Sequence, residues 1–163
     1  MDVNSIKLIV LDFDGVLTSN KVFINEHGEE FVECSRADGL AFDTLRMLQM
    51  NIIILSTEAN KVVSSRADKL KVKAIQGVGN KKDVLSDIMR DQDLNKNEVV
   101  FVGNDVNDID AMHLCGLTFC PSDAHALVKQ KAKKVLKSIG GNGVMREIVE
   151  EHFELNIYNI LFN

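Results

Sequence analysis

Residues 11–18 read Leu-Asp-Phe-Asp-Gly-Val-Leu-Thr and continue the apolar run Ile6-Lys7-Leu8-Ile9-Val10-Leu11. A run of that length and composition predicts a buried strand. Asp12 and Asp14 stand two residues apart at its end, and Gly15 lets the backbone turn sharply after them. Paired acids just past the C-terminal end of a buried strand occupy the usual ligand position of an open α/β sheet. Two carboxylates drawn together out of water need a cation or a shared proton. One reading is therefore a Mg²⁺ site with a carboxylate free to attack. The other is an Asx-type turn that merely caps the strand. The spacing by itself leaves both open.

The chain has 163 residues, 45% of them hydrophobic, which suits one domain with a full core. Its net charge of −5, without a basic block, argues against nucleic acid as the partner. Cys34, Cys115 and Cys120 are odd in number and lack CxxC spacing. They read as small core residues in a reducing compartment rather than as a disulfide framework or a zinc cluster. No run is long enough to span a membrane, and Asp12 interrupts the one apolar stretch near the start. The expectation is a cytoplasmic protein that does not engage a membrane.

Patterning outward from the first strand (6–13) predicts strand and helix in alternation. A β-hairpin flap follows, with short strand-like runs at 21–24 and 29–33 around a glycine turn. Ala41, Leu45 and Leu48 recur at helical spacing over 37–49, where Asp38 could cap the start. Strands are expected at 52–55, 72–75, 99–102 and 117–119. Helices are expected at 60–70, 81–90, 109–114, 124–136 and 144–153, with a glycine-rich tail from about 140 to 163. The fold class is α/β: a doubly wound parallel sheet in a single domain over 1–163, with the hairpin at about 21–33 as its one insertion.

Three further constellations lie at strand ends. Ile54-Leu55-Ser56-Thr57-Glu58 puts hydroxyls where they can donate to a phosphate oxygen beside a helix N-terminus, or can simply cap that helix. Gln76-Gly77-Val78-Gly79-Asn80-Lys81 places a lysine at a helix start, where it opposes the helix dipole. That small cost hints at use, and a surface lysine is the plainer alternative. Val102-Gly103-Asn104-Asp105-Val106-Asn107-Asp108 makes an oxygen-rich turn suited to Mg²⁺, or a cap.

The four stretches, in this order, resemble the four motifs of the haloacid dehalogenase superfamily. The resemblance covers essentially the whole chain and implies a HAD-like Rossmannoid without a cap domain. It implies that Asp12 is the nucleophile and Asp14 the general acid/base. Ser56, with Thr57 beside it, and Lys81 would hold the phosphoryl group. The implied metal ligands are Asp12, Asp14 (through its carbonyl), Asn104, Asp105 and Asp108, with Mg²⁺ as cofactor. Asn104 departs from the motif, which has an acid there; an amide oxygen binds Mg²⁺ without adding charge. Gly140-Gly141-Asn142-Gly143-Val144-Met145-Arg146-Glu147 narrows the resemblance to the small capless phosphatases of octulosonate 8-phosphates and nonulosonate 9-phosphates. That group implies a homotetramer built partly through the hairpins, with the tail reaching a neighbour's site, and it brings Arg146 into the substrate set.

On the helix after Ser56, residues Glu58, Val62, Arg66 and Lys69 fall on one stripe, about 100° from the core stripe of Val63, Ala67 and Leu70. Arg66 and Lys69 could take a sugar carboxylate and Glu58 a hydroxyl or amine. Alternatively, the stripe is a solvated face with an ordinary ion pair. The expectation is a Mg²⁺-dependent phosphomonoesterase for a nonulosonate 9-phosphate, working through an aspartyl-phosphate. The octulosonate 8-phosphate is the alternative substrate. A non-catalytic assembly module of the kind fused to cytidylyltransferases is the rival from another class.

Overall fold

The computed structural model describes residues 3–163; Met1 and Asp2, the start of the domain expected over 1–163, lie outside the described residues. Six parallel strands form the sheet, in the order β5-β4-β1-β6-β7-β8. They are β1 (Leu8–Leu11), β4 (Asn51–Leu55), β5 (Lys73–Ile75), β6 (Val99–Val102), β7 (Leu117–Cys120) and β8 (Lys134–Val135). Strands β2 (Thr18–Ile24) and β3 (Glu30–Cys34) pair only with each other, as an antiparallel hairpin. Among the described residues this hairpin is the insertion, and no cap domain is present.

Side chains alternate across β1, so its two faces feed two cores. Ile9 and Leu11 pack with α1 (Ala37–Met47), α2 (Lys61–Leu70), α6 (Val144–Glu147) and α7 (Ile157–Phe162). Leu8 and Val10 pack with α3 (Lys81–Asp91), α4 (Ile109–Met112) and α5 (Ala126–Lys131). Burial on both faces explains why β1 and β6 read as unbroken apolar runs. Leu11 stands opposite Ile54 on one side and Val102 on the other, so three strands end at the same level.

The sheet departs from the sequence expectation at its far edge. The helix expected over 124–136 is shorter: α5 ends at Lys131, Ala132 turns extended, and Lys134 and Val135 pair with Phe119 and Cys120. Thr118 accepts a hydrogen bond from the Lys133 amide at 2.9 Å. The edge of β7 carries backbone groups that need partners, and satisfying them outweighs helix propensity in this lysine-rich stretch. The helix expected at 109–114 is α4, which ends two residues early at Met112 and is entered through a 3₁₀ turn, Val106–Asp108. The one expected at 144–153 is α6 running into a π-type turn, Ile148–His152, and α7 was not anticipated. All three cysteines are free; burial pushes the Cys115 and Cys120 thiols up to about 12 and about 11, consistent with core packing rather than nucleophilic use.

Asp38 does not cap its own helix. The cap position of α1 is Arg36, which makes no side-chain cap bond. Asp38 is instead fully buried, and its Oδ1 accepts from the amides of Met145 at 2.9 Å and Arg146 at 3.2 Å. Gly143 precedes α6 with φ +85° and has no side chain with which to cap it, so a carboxylate from α1 takes the orphan donors. Replacing Asp38 with alanine leaves those amides unpaired in the core, and we expect a loss of about 2 kcal/mol. The measurement is the shift of the chemical denaturation midpoint at unchanged slope. Asp38→Asn, which keeps the acceptor, should lose much less.

Candidate active site

The C-terminal ends of β4, β1 and β6 deliver Ser56, Asp12 and Asn104 side by side. The backbone joins them to their neighbours: the Asp12 amide donates to Val102 at 2.9 Å and the Ser56 amide to Ile75 at 2.9 Å. Asp12 is 5% exposed and Lys81 2%. The Lys81 ammonium lies 2.6 Å from Asp12 Oδ1 and 2.7 Å from Asp108 Oδ1. Lys81 begins α3, whose cap is the Asn80 side chain accepting from the Lys82 amide. The helix start that disfavours a lysine is thus the place from which this side chain reaches two buried acids.

The three charges tune one another. Burial pushes the Asp12 carboxyl up to about 7; Asp108 adds to the rise, while Lys81 and the Phe13 amide pull against it. Burial works against the Lys81 ammonium too, but Asp12 and Asp108 outweigh it and hold Lys81 above its ordinary value. Asp108 has both oxygens engaged: Oδ1 on Lys81, and Oδ2 on the amides of Asn104 at 2.9 Å and Asp105 at 3.2 Å. Gly103 leaves the space for this, since a Cβ there would lie 2.6 Å from the Asp108 side chain. Asp108 therefore fixes the lysine and the turn.

Asp14 is half-buried. Burial raises its pKa first and Glu58 second, with Thr18 working the other way. The Thr18 hydroxyl, fully buried, donates to Asp14 Oδ1 at 3.5 Å and accepts from the amides of Gly15 and Asn20. Sequence reasoning passed over Thr18; its signal was a hydroxyl four residues after an acid, across a glycine turn. Ser56 is buried, and its Oγ accepts from the Glu58 amide at 3.1 Å, which leaves its proton to donate elsewhere. Thr57 is exposed. The cap of α2 is Asn60, not Ser56 or Thr57.

Asn104 presents an orphaned buried oxygen just past the end of β6. It is 6% exposed, and its Oδ1 is buried without a hydrogen-bond partner. Its amide group lies over the turn at Gly15, because a Cβ there would meet Asn104 Nδ2 at 2.0 Å. Gly15, at φ +74°, is required there on both counts. An orphaned buried oxygen costs free energy unless something binds it. The Asp12 carboxylate and Asn104 Oδ1 are oxygen donors of the kind a hard cation takes. No cluster of three or more His, Cys, Asp or Glu side chains suits a metal among the described residues. Asp105 is exposed, and its Oδ1 caps the following turn by accepting from the Val106 amide at 2.7 Å.

The substrate set expected on one stripe divides in two. Glu58 folds back on its own loop, with Oε1 accepting from the amides of Ala59 and Asn60 at 2.7 Å each, yet it stays near enough to Asp14 to raise its pKa. Arg66 and Lys69 line a separate groove of about 330 Å³ between α1 and α2, with Arg36 and Asp43. Arg66 donates to the Ser35 carbonyl at 2.7 Å, and its Nε is buried without a partner. Arg146 stands 2.8 Å from Glu150, off the N–H direction. It lines clefts with Glu150 and Tyr158 or with Lys137 and Glu151, and none of Asp12, Asp14, Ser56 or Lys81 borders them. The tail glycines Gly140 and Gly141 pack against Gly15 and Thr18 of the same chain.

Residues 25–148 match the haloacid dehalogenase-like hydrolase family. Ser56, Lys81 and the Asn104–Asp108 turn fall inside that stretch, and Asp12 and Asp14 precede it. The chain is 29% identical over 147 residues to the 3-deoxy-D-manno-octulosonate 8-phosphate phosphatase of Escherichia coli, covering 90% of this chain and 78% of that one. It is 30% identical over 151 residues to the N-acylneuraminate cytidylyltransferase of Oncorhynchus mykiss, covering 89% of this chain but spanning only 34% of that protein's length. The cobalt-bound deoxy-D-mannose-octulosonate 8-phosphate phosphatase of Haemophilus influenzae superposes with a TM-score of 0.84 at 26% identity, over 96% of this chain and 89% of that one.

In metal-free protein, the Asp12 carboxyl should titrate near pH 7, well above an exposed aspartate, because burial and Asp108 both raise it. Asp108→Asn removes the second cause and should move the titration down. Carboxyl-carbon NMR on selectively labelled protein reads both shifts. An ordinary aspartate titration for Asp12 would contradict the burial described here.

Proposed function

Because the chain belongs to the haloacid dehalogenase-like hydrolases, we propose that it is a Mg²⁺-dependent phosphatase of an acidic sugar phosphate. One observation carries the reading: Lys81, fully buried, holds Asp12 and Asp108 at the end of the central strand, beside the orphaned oxygen of Asn104. Asp12, the main-chain carbonyl of Asp14 and Asn104 Oδ1 would hold the metal, with Asp105 at the rim. A divalent cation supplies Lewis-acid neutralisation of the phosphoryl oxygens when bound. The bound cobalt of the Haemophilus influenzae relative supports a divalent site.

Asp12 attacks phosphorus, and the bond to the sugar oxygen breaks as the Asp12–phosphorus bond forms. The leaving oxygen takes its proton from Asp14, whose raised pKa suits it to hold one. Asp14, now ionised, takes a proton from water, which attacks phosphorus and frees Asp12 and inorganic phosphate. Lys81 and the Ser56 hydroxyl hold the equatorial oxygens as charge builds on them. Asp108 keeps the ammonium in place throughout.

For the substrate, we favour a nonulosonate 9-phosphate. Glu58 beside Asp14 supplies an acceptor for a polar substituent, and Arg66 and Lys69, joined by Arg36, suit a carboxylate. The similarity to an N-acylneuraminate cytidylyltransferase points toward nine-carbon acids. The similarity to two octulosonate 8-phosphate phosphatases favours the eight-carbon ester as the second reading. Purified protein assayed on both esters and on an aryl phosphate decides between them. Asp12→Asn should abolish turnover on all three while the protein stays folded. Arg66→Ala should raise KM for the preferred ulosonate far more than for the aryl phosphate. Faster hydrolysis of the octulosonate by wild type would reverse the substrate order. A folded Asp12→Asn enzyme of near-wild-type rate would refute the mechanism.

The hairpin leaves Phe23 69%, Ile24 63% and Phe31 57% exposed, which is much apolar surface for a free two-stranded ribbon. We propose that it is covered in a homotetramer. Light scattering at micromolar concentration should give four times the chain mass, and charged substitutions at Phe23 and Ile24 should lower it. A wild-type monomer there would refute the assembly.

A further inference from the structure

The turn that carries Asp14 is closed by the Leu17 and Thr18 amides donating to the Phe13 carbonyl, and its outer side is held from elsewhere. It leans on a segment more than a hundred residues further along the chain. Gly141 donates its amide to the Val16 carbonyl at 3.0 Å. A Cβ on Gly140 would lie 2.2 Å from the Gly15 carbonyl oxygen, and one on Gly141 2.4 Å from the Ser19 nitrogen. The two glycines therefore touch both ends of the turn from Gly15 to Thr18. Thr18 is the side chain that donates to Asp14 Oδ1.

This segment, 137–141, is itself fastened at two places. Gly140 donates its amide to Asp123 Oδ1 at 2.9 Å, and the Ser122 amide and hydroxyl reach the Ser138 and Lys137 carbonyls. On the other side, both oxygens of buried Glu147 accept from the Lys137 and Ser138 amides at 2.8 and 2.7 Å. Resting on the phosphatase reading, we propose that 137–141 is a strap that positions Asp14 for proton transfer, with Asp123 and Glu147 as its anchors. Neither anchor is a catalytic residue. Asp123 is a positioning residue that acts through Gly140, the turn and Thr18.

A proton donor displaced by a fraction of an ångström loses rate while binding persists, so the strap should show in kcat rather than KM. Asp123 is exposed, and its substitution leaves the core intact. In Asp123→Ala, kcat on an aryl phosphate should fall about tenfold with KM little changed. The amides of residues 15–19 should exchange with solvent about fivefold faster. Asp123→Asn keeps the Oδ1 acceptor and should restore both. Gly141→Ala, which drives a methyl against Ser19 while leaving Asp123 in place, should lose kcat in the same way in its folded fraction. Unchanged kcat in Asp123→Ala overturns the assignment, as does faster exchange with kcat intact or a loss that Asp123→Asn fails to restore. A wild-type protein that hydrolyses no phosphate ester refutes the phosphatase reading instead, and the exchange rates then decide whether the strap holds the turn.

Discussion

A lysine is among the least favourable side chains to bury, and here it is sealed between two carboxylates at the heart of the molecule. Each of the three charges would be costly alone; together they are tolerated because every one has a close partner. With Asp12 ionised the triad carries a net charge of −1, and Asp14 stands beside it. Such a place is held open for positive charge. The surrounding structure follows from that requirement. Gly103 must be a glycine so that Asp108 can fold in. Asn80 must cap α3 so that Lys81 starts it in register. Gly15 must turn with positive φ under Asn104.

Asn104 softens the demand. With an amide in place of an acid, the pocket asks for a cation less strongly and repels an incoming phosphate dianion less. Its oxygen is nevertheless buried and unpartnered, a cost that a bound ion would remove. Electrostatics and sterics meet at this residue, because its amide nitrogen occupies the space a side chain on Gly15 would need.

Carboxylates also knit the distant parts of the chain together. Asp38 on α1 caps α6, and Glu147 on α6 holds the loop at Lys137 and Ser138. Asn60 on α2 donates to Glu30 on the hairpin at 3.1 Å, tying the flap to the helix beside the site. The first and last of these join elements far apart in sequence, and all three are half-buried or buried. The hairpin's outer apolar residues Phe23, Ile24 and Phe31 remain uncovered.

Much of this was legible in the chain itself. An apolar run ending in Asp12 and Asp14 dictated a central strand with acids at its tip. The later runs ending in Ser56 and Asn104 dictated two more strands of the same kind, because a strand buried on both faces has no other way to be written. Lys81 at a helix start stood out by opposing the dipole. Beyond these local signals, tertiary structure decided the outcome. Residues 134–135 became a strand because the edge of β7 needed hydrogen-bond partners, a demand invisible within the segment. Asp38 caps α6 rather than its own helix because Gly143 has no side chain with which to do so. Glu58 separated from Arg66 and Lys69 because its carboxylate had nearer amides to satisfy. Gly140 and Gly141 settled against the catalytic turn because only a bare backbone fits there. Local periodicity determines which faces are buried; which unpaired donor meets which acceptor depends on elements brought together from opposite ends of the chain.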